Sequence, residues 1–301
     1  MLWLILVLVS VFIWALVNIY DKHIITDELR DPFLCTTVCG IITFILFAII
    51  VFLTKQEIWL PRNIILTSMG AGICLGVAIF FYYKSLSHEE VSRVMPMLEL
   101  VPLFTLILAT IFLNEFFTLI KYIGMAFLIA GGFLISIKKH KKKSKKWKDK
   151  FYLTSVIITV LIAAIFFATR SVLLRYSTLY VSTMQIIFWV ALGEFLVALI
   201  LFIFHHPHII KKTQLKGFEH LVIISIISAL TFILYIYVIQ IAPAVSLVSV
   251  FGAVQGLFVF IIATILSKTG KIVREPLKKG IIIQKIMAII MIIGGIILIT
   301  L

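Results

Sequence analysis

The chain has 301 residues, 62% of them hydrophobic, with a mean hydropathy of +1.20 and a formal net charge of +14. Soluble domains average about 45–50% apolar residues, so a water-soluble core is excluded and most of this surface must meet lipid. The charge does not mark a nucleic-acid partner: nine lysines sit in one segment, Lys138 to Lys150, where they set orientation and meet anionic headgroups.

A helix needs roughly 20 apolar residues to cross about 30 Å of hydrocarbon. Ten such runs are read, at 2–20, 33–54, 64–83, 91–113, 119–137, 151–169, 180–204, 218–239, 245–266 and 280–301. They are continuously apolar, unlike the alternating strands of a barrel. The expected fold is therefore all-α and integral to the membrane, with ten transmembrane helices. The first run lacks the basic n-region and cleavage site of a signal peptide and is expected to persist as a helix.

Run 1 carries Trp14, Asn18 and Lys22 at i, i+4, i+8 on one stripe. Trp14 and Asn18 are candidates for the lining of a polar passage, while Lys22 at the helix end can snorkel. Cys35 and Cys39 in run 2 and Cys74 in run 3 have no zinc or redox spacing and are expected as small apolar fillers. Gly72 and Gly76 make a close-approach face, as do Gly252 and Gly256 in run 9. Tyr82 and Tyr83 end run 3 and are expected as belt anchors. The next segment, His88-Glu89-Glu90, lacks the second His of a metalloprotease helix; Glu89 and Glu90 are expected to pair with Arg93.

Run 4 holds Glu99 between Pro96 and Pro102. Each proline removes a backbone donor and frees a carbonyl a turn earlier. An ionisable group in lipid costs about 2.5–3.5 kcal/mol on insertion scales. Glu99 is therefore a candidate cation or proton site, or else a structural partner of Arg93, Arg170 or Arg175. Glu194 in run 7 is the second candidate; Gln185, nine residues earlier, falls on the opposite face. His205-His206-Pro207-His208 ends that run and is expected as an interfacial segment, not a metal site. Tyr235 in run 8 and Gln255 in run 9 lie deep enough to line a cavity, and an aromatic box near Glu99 would suit an organic cation. No metal or cofactor is expected.

Val91 to Glu115 reads VSRVMPMLELVPLFTLILATIFLNE, and Val245 to Thr269 reads VSLVSVFGAVQGLFVFIIATILSKT. Each is followed by an apolar segment with a Gly-Gly pair, Gly131-Gly132 and Gly294-Gly295. Once-repeated membrane patterns characterise secondary transporters. The organisation read is a five-helix half over 1–137, a Lys-rich linker over 138–150 and a second five-helix half over 151–301. Loops after odd-numbered runs hold 22 Lys and Arg against 5 in even ones, which places the odd loops in the cytoplasm and both termini outside. Halves with an odd number of spans must then be inverted relative to each other.

These features resemble the EamA family of the drug/metabolite transporter superfamily. The matching residues are Trp14, Asn18 and Lys22; Ser85-Leu86; Val91-Ser92; Pro102; Leu113 to Glu115; Gly124; and Ala130-Gly131-Gly132. The second half departs from the pattern: Thr269 replaces the Glu of the L-N-E turn and Gly256 replaces Pro102. Family members are commonly drawn with both termini inside, which the charge count opposes. The resemblance implies two EamA-like halves and secondary-active transport of a small metabolite or organic solute by alternating access, in the cell membrane, as a monomer or homodimer. A flippase for a lipid-linked intermediate is the alternative. A membrane enzyme ranks last, because no cluster of Asp, His or Glu marks one membrane face. No phosphate-binding loop of the Walker type is present, so energy would come from a gradient.

Overall fold

The computed structural model describes residues 2–88, 94, 97–136, 147–205, 215–268 and 279–300. It is all-helical, with no strand among the described residues. In chain order the helices are α1 Leu2–His23, α2 Pro32–Thr54, α3 Arg62–His88, α4 Val101–Leu113, α5 Leu119–Ser136, α6 Trp147–Thr178, α7 Thr183–His205, α8 Leu215–Ile241, α9 Val245–Phe251, α10 Gln255–Lys268 and α11 Lys279–Thr300. Every apolar run is helical in whole or in part. Among the described residues six helices are long and apolar enough to cross a membrane, and four shorter apolar ones accompany them. Arg93, Glu89, Glu90, Val91, Ser92, Pro96, Thr269, His206 to His208 and most of the Lys-rich linker lie outside the described residues.

Local chemistry sets several boundaries. α1 runs into a π-helical turn, Ile24–Glu28. Asp31 caps α2, its Oδ1 accepting from Phe33 N at 2.9 Å and Leu34 N at 3.2 Å, with Pro32 at the first helical position. α2 and α4 end on Lys55 and Asn114 in the left-handed region, φ 50° and 53°.

Two runs expected as unbroken helices are interrupted. Before α4 the chain makes a turn at Glu99–Leu100. Pro102 cannot donate to the Leu98 carbonyl, and its ring crowds that carbonyl. In the second half a 3₁₀ turn, Gly252–Val254, separates α9 from α10. In the two repeated segments these breaks fall at the same register. Gly252 has no neighbour that an added Cβ would meet within 4 Å, so the expected close-approach face at Gly252 and Gly256 does not form at Gly252. Glycine serves there beside a break, not at a crossing.

The helices pack mainly across the two halves. α5 lies on α11, α2 on α7, α3 on α6 and α7, α1 on α8, and α4 on α6 and α9. Glycines make the tightest crossings. A methyl on Gly72 would run into the Val190 carbonyl and stand 2.9 Å from Glu194 N, and one on Gly193 would run into the Met69 carbonyl. A methyl on Gly40 would stand 2.7 Å from the Ala198 Cβ. One member of each Gly-Gly pair packs on the opposite helix of α5 and α11: Gly131 faces Ile292 and Ala288, and Gly295 faces Gly124 and Leu128. α5 and α11 run antiparallel, since Gly124 meets Leu298 while Leu134 O accepts from Gln284 Nε2 at 2.8 Å.

Candidate functional site

Glycine packing of α7 against α2 and α3 fixes the backbone at Glu194 and points its carboxylate inward. The side chain is 3% exposed, hydrogen-bonds with Thr43 of α2, and leaves Oε2 without a partner. On α6, Arg170 is equally enclosed, at 6% exposed. Its Cζ lies 5.2 Å from the ring centroids of Phe167 and Tyr235 and 5.3 Å from that of Phe232. Three rings thus hold the guanidinium by cation–π attraction. Nη2 donates to Ser171 Oγ at 3.4 Å, and Nε has no partner. Trp14 packs on the Tyr235 ring at 4.9 Å. Cys74 of α3 lies within electrostatic reach of Arg170. Arg170 and Glu194 also sense each other's charge, but no ion pair joins them among the described residues.

The structure therefore brings Trp14, Tyr235 and Arg170 together, with Glu194 near enough to feel the Arg170 charge. Arg170, read from sequence as a charge partner, is the centre of this group. Glu99 lies elsewhere: it is buried at the break before α4, its Oε2 2.9 Å from where a Gly132 Cβ would stand and beside Ala253. Among the described residues it pairs with neither Arg170 nor Arg175. The expected aromatic box exists, but it encloses Arg170 and not a site at Glu99. Gln255 is half-buried at the start of α10.

Arg175 has a different task. Its Nη1 donates to Ile239 O at 2.6 Å and Gln240 O at 3.3 Å, and Nη2 to Pro243 O at 3.1 Å. It satisfies the end of α8 and feels the charge of Glu115, though no ion pair joins it to a carboxylate among the described residues. Glu115 does the reverse for α9. Its carboxylate accepts from Val245 N at 2.8 Å, Ser246 N at 3.0 Å and Ser246 Oγ at 2.6 Å.

A second polar group surrounds Asp21, which sequence reasoning passed over. Asp21 is buried on the α1 stripe of Trp14 and Asn18, three residues beyond Asn18. Tyr83 OH donates to its Oδ1 at 2.9 Å, and Tyr82 OH donates to Asn18 Oδ1 at 3.3 Å. Both tyrosines are buried and serve α1, so they are not belt anchors. Cys39 is not an apolar filler either: its Sγ lies 3.2 Å from Ser225 Oγ and 3.6 Å from Tyr83 OH. All three cysteines are free. The i+7 spacing from Trp14 was the signal that could have found Asp21.

At the same end of the bundle, His220 Nδ1 meets Glu28 Oε1 at 2.9 Å and His23 Nδ1 meets Asp27 at 2.9 Å. His205 stacks on Phe33 at 3.7 Å and reaches Asp31 at 3.8 Å. A carboxylate thus stands beside His205. No group of three or more metal-binding side chains occurs among the described residues.

Long apolar helices, glycine crossings and buried opposite charges define an integral membrane protein with an enclosed polar centre. Residues 1–137 match the model of the EamA-like transporter family, part of the drug/metabolite transporter superfamily. Over that stretch, a little under half of the chain, it is similar to a family of membrane transporters, which suggests transport of small solutes. No protein of curated function matches the chain. A solved structure titled only "Crystal structure of protein" is similar over 98% of this chain and 95% of that one, with a TM-score of 0.73 and 14% identity. That likeness concerns the fold alone.

Proposed function

We propose that the protein is a secondary-active transporter of a small amphiphilic solute, working by alternating access of two inverted five-helix halves around Arg170 and Glu194. The observation that carries this reading is the pair of buried unpartnered atoms, Arg170 Nε among its aromatic rings and Glu194 Oε2. One wants an acceptor and the other a donor. Leaving a buried polar group unmet costs about 1–3 kcal/mol, and more for a charged one. A solute with an anionic group for Arg170, a donor for Glu194 and an apolar body for Trp14 and Tyr235 would satisfy all three.

Helix pairing supports the inverted arrangement. Counting spans with α9 and α10 as one, first-half helices 2, 4 and 5 each pack on their own repeat equivalents. The pairs α1–α8 and α3–α6 exchange under the same operation. Antiparallel contact between equivalents is what a two-fold axis in the membrane plane produces. The breaks at Glu99–Leu100 and Gly252–Val254 match the discontinuous helices of such folds. The lysine and arginine asymmetry supports odd loops in the cytoplasm, with the cell membrane as the setting. One chain supplies both halves, so a monomer suffices.

The test is a stabilisation screen of the purified protein against metabolite classes, repeated with Arg170→Gln and Glu194→Gln. Each variant removes one charge-assisted bond of about 1.5–3 kcal/mol, hence roughly 10- to 100-fold in affinity. A screen in which no class stabilises the protein, or in which both variants bind as the parent does, sinks the reading. Glu99→Gln tests the second carboxylate: unchanged transport and pH dependence would remove it from the mechanism.

A further inference from the structure

Asp21 is an acid with neutral company. It sits at the end of α1, 5% exposed, and no ion pair joins it to a cation among the described residues. From α3 it faces Tyr83 and Tyr82, from α2 Cys39 and Cys35. Lys22 and His23 follow on its own helix. The group continues across the seam between the halves, from Tyr83 through Cys39 to Ser225 of α8, which anchors to Leu221 O at 2.7 Å. Two residues beyond Asp21 begins the rim of His23, Asp27, Glu28 and His220, whose histidines are half exposed.

We infer that Asp21 is a proton-binding site, separate from the Arg170–Glu194 centre, whose occupancy is passed to the seam through Tyr83, Cys39 and Ser225. The geometry gives three reasons. A carboxyl without a cationic partner can gain or lose a proton without breaking an ion pair. The half-exposed histidines of the rim begin two residues along the chain from Asp21, which puts groups that exchange protons with water close to it in sequence. Protonation at Asp21 adds a donor and removes the charge from the acceptor, so the bond from Tyr83 loses its charge-assisted strength, and Tyr83 touches the thiol that meets the other half. The ligand is a proton: the surrounding atoms are hydroxyls and thiols around one carboxylate, with too few oxygens to cage a metal cation. The inference extends the transport reading by naming the coupling site.

Dicyclohexylcarbodiimide, an apolar reagent that modifies protonated carboxyl groups, tests it on the full-length purified protein. The expected result is an adduct on Asp21, mapped by mass spectrometry, that is lost as pH rises and changes its pH profile in Tyr83→Phe. Hydrogen–deuterium exchange protection of residues 215–241, corrected for the intrinsic pH dependence of amide exchange, should also respond to pH in the parent and lose that response in Asp21→Asn. Asp21 unmodified at every pH, modification confined to Glu99 or Glu194, or protection by sodium with no effect of pH would each overturn the inference. So would a Tyr83→Phe protein with an unaltered profile, which covers the case where Asp21→Asn fails to fold. The labelling needs no transported solute. Its failure therefore leaves the Arg170–Glu194 reading standing, and a barren solute screen leaves the labelling result standing.

Discussion

Replacing Glu115 with Ala should destabilise α9, a helix in the other half of the chain. Three donors converge on this carboxylate: Val245 N, Ser246 N and Ser246 Oγ, at 2.6–3.0 Å. Ala244, the residue at the cap position, offers no side-chain bond of its own. Loss of an N-cap costs about 0.5–2 kcal/mol, and hydrogen bonds to a charged acceptor are worth about 1.5–3 kcal/mol. Because Glu115 is half-buried, the values overlap and do not add, and about 2–4 kcal/mol is the expected loss. At about 2–4 °C per kcal/mol, the melting temperature in detergent should fall by roughly 5–15 °C. Glu115→Gln keeps an acceptor oxygen and loses the charge, so about half that fall is expected. Hydrogen–deuterium exchange should locate the damage at Val245 to Phe251. A Glu115→Ala protein with parental melting and parental exchange there would refute the capping argument.

Gly72→Ala and Gly193→Ala should each cost several kcal/mol, because the added methyl meets backbone that cannot retreat without parting α3 from α7. Gly252→Ala, with open space around it, should be neutral or stabilising by about 0.4–1 kcal/mol; thermal melts of the three variants side by side decide the matter. Arg175→Ala should cost about 1–3 kcal/mol through the carbonyls it leaves unmet at the end of α8, and faster exchange near Ile239 to Pro243 would show it.

The positions of the helices were legible because lipid demands long apolar runs, and composition alone supplies that signal. The breaks were only half legible. Pro102 carried the signal for the one at Glu99–Leu100 but was read only as freeing a carbonyl, whereas Gly252 read as a packing residue because a lone glycine suits either role. Glu194 was found by the cost of its charge in lipid. Arg170 was undervalued because a basic residue in a membrane helix suggests a partner for an acid, and the aromatic rings that enclose it come from α6 and α8, 62 and 65 residues on in two cases and 3 back in the third. Asp21 was missed because it lies beside the run's polar end, where a charge is ordinary. Its burial depends on α2, α3 and α8 closing over it, which no spacing within α1 reveals. Tyr82 and Tyr83 were misjudged for the same reason: an aromatic near a helix end meets headgroups only if nothing packs there first.

If the proposed alternating mechanism of two inverted halves holds, the packing predicts which contacts it must break. In an inverted pair of halves, contacts between repeat equivalents map onto themselves when the halves exchange conformations, so they persist in both states. Contacts such as α3–α6 map onto α1–α8 and are traded. Here α3–α6 is the more extensive of the two, and hydroxyls stitch it near both ends: Thr67 and Ser68 to Ser177 at 2.9 and 3.1 Å, and Ser85 to Thr159 at 2.9 Å. The α4–α9 contact, by contrast, is a self-mapped one, with Ser249 Oγ donating to Thr105 at 3.0 Å. A disulfide between cysteines introduced as Ser85→Cys and Thr159→Cys should therefore hold the protein in this conformation and stop turnover until reduced. One introduced as Thr105→Cys and Ser249→Cys should be tolerated. The assay is exchange of a solute identified by the stabilisation screen, in proteoliposomes, with and without reductant. Were the α4–α9 crosslink to block exchange while the α3–α6 crosslink let it proceed, the two halves could not be trading conformations about the axis that their pairing defines.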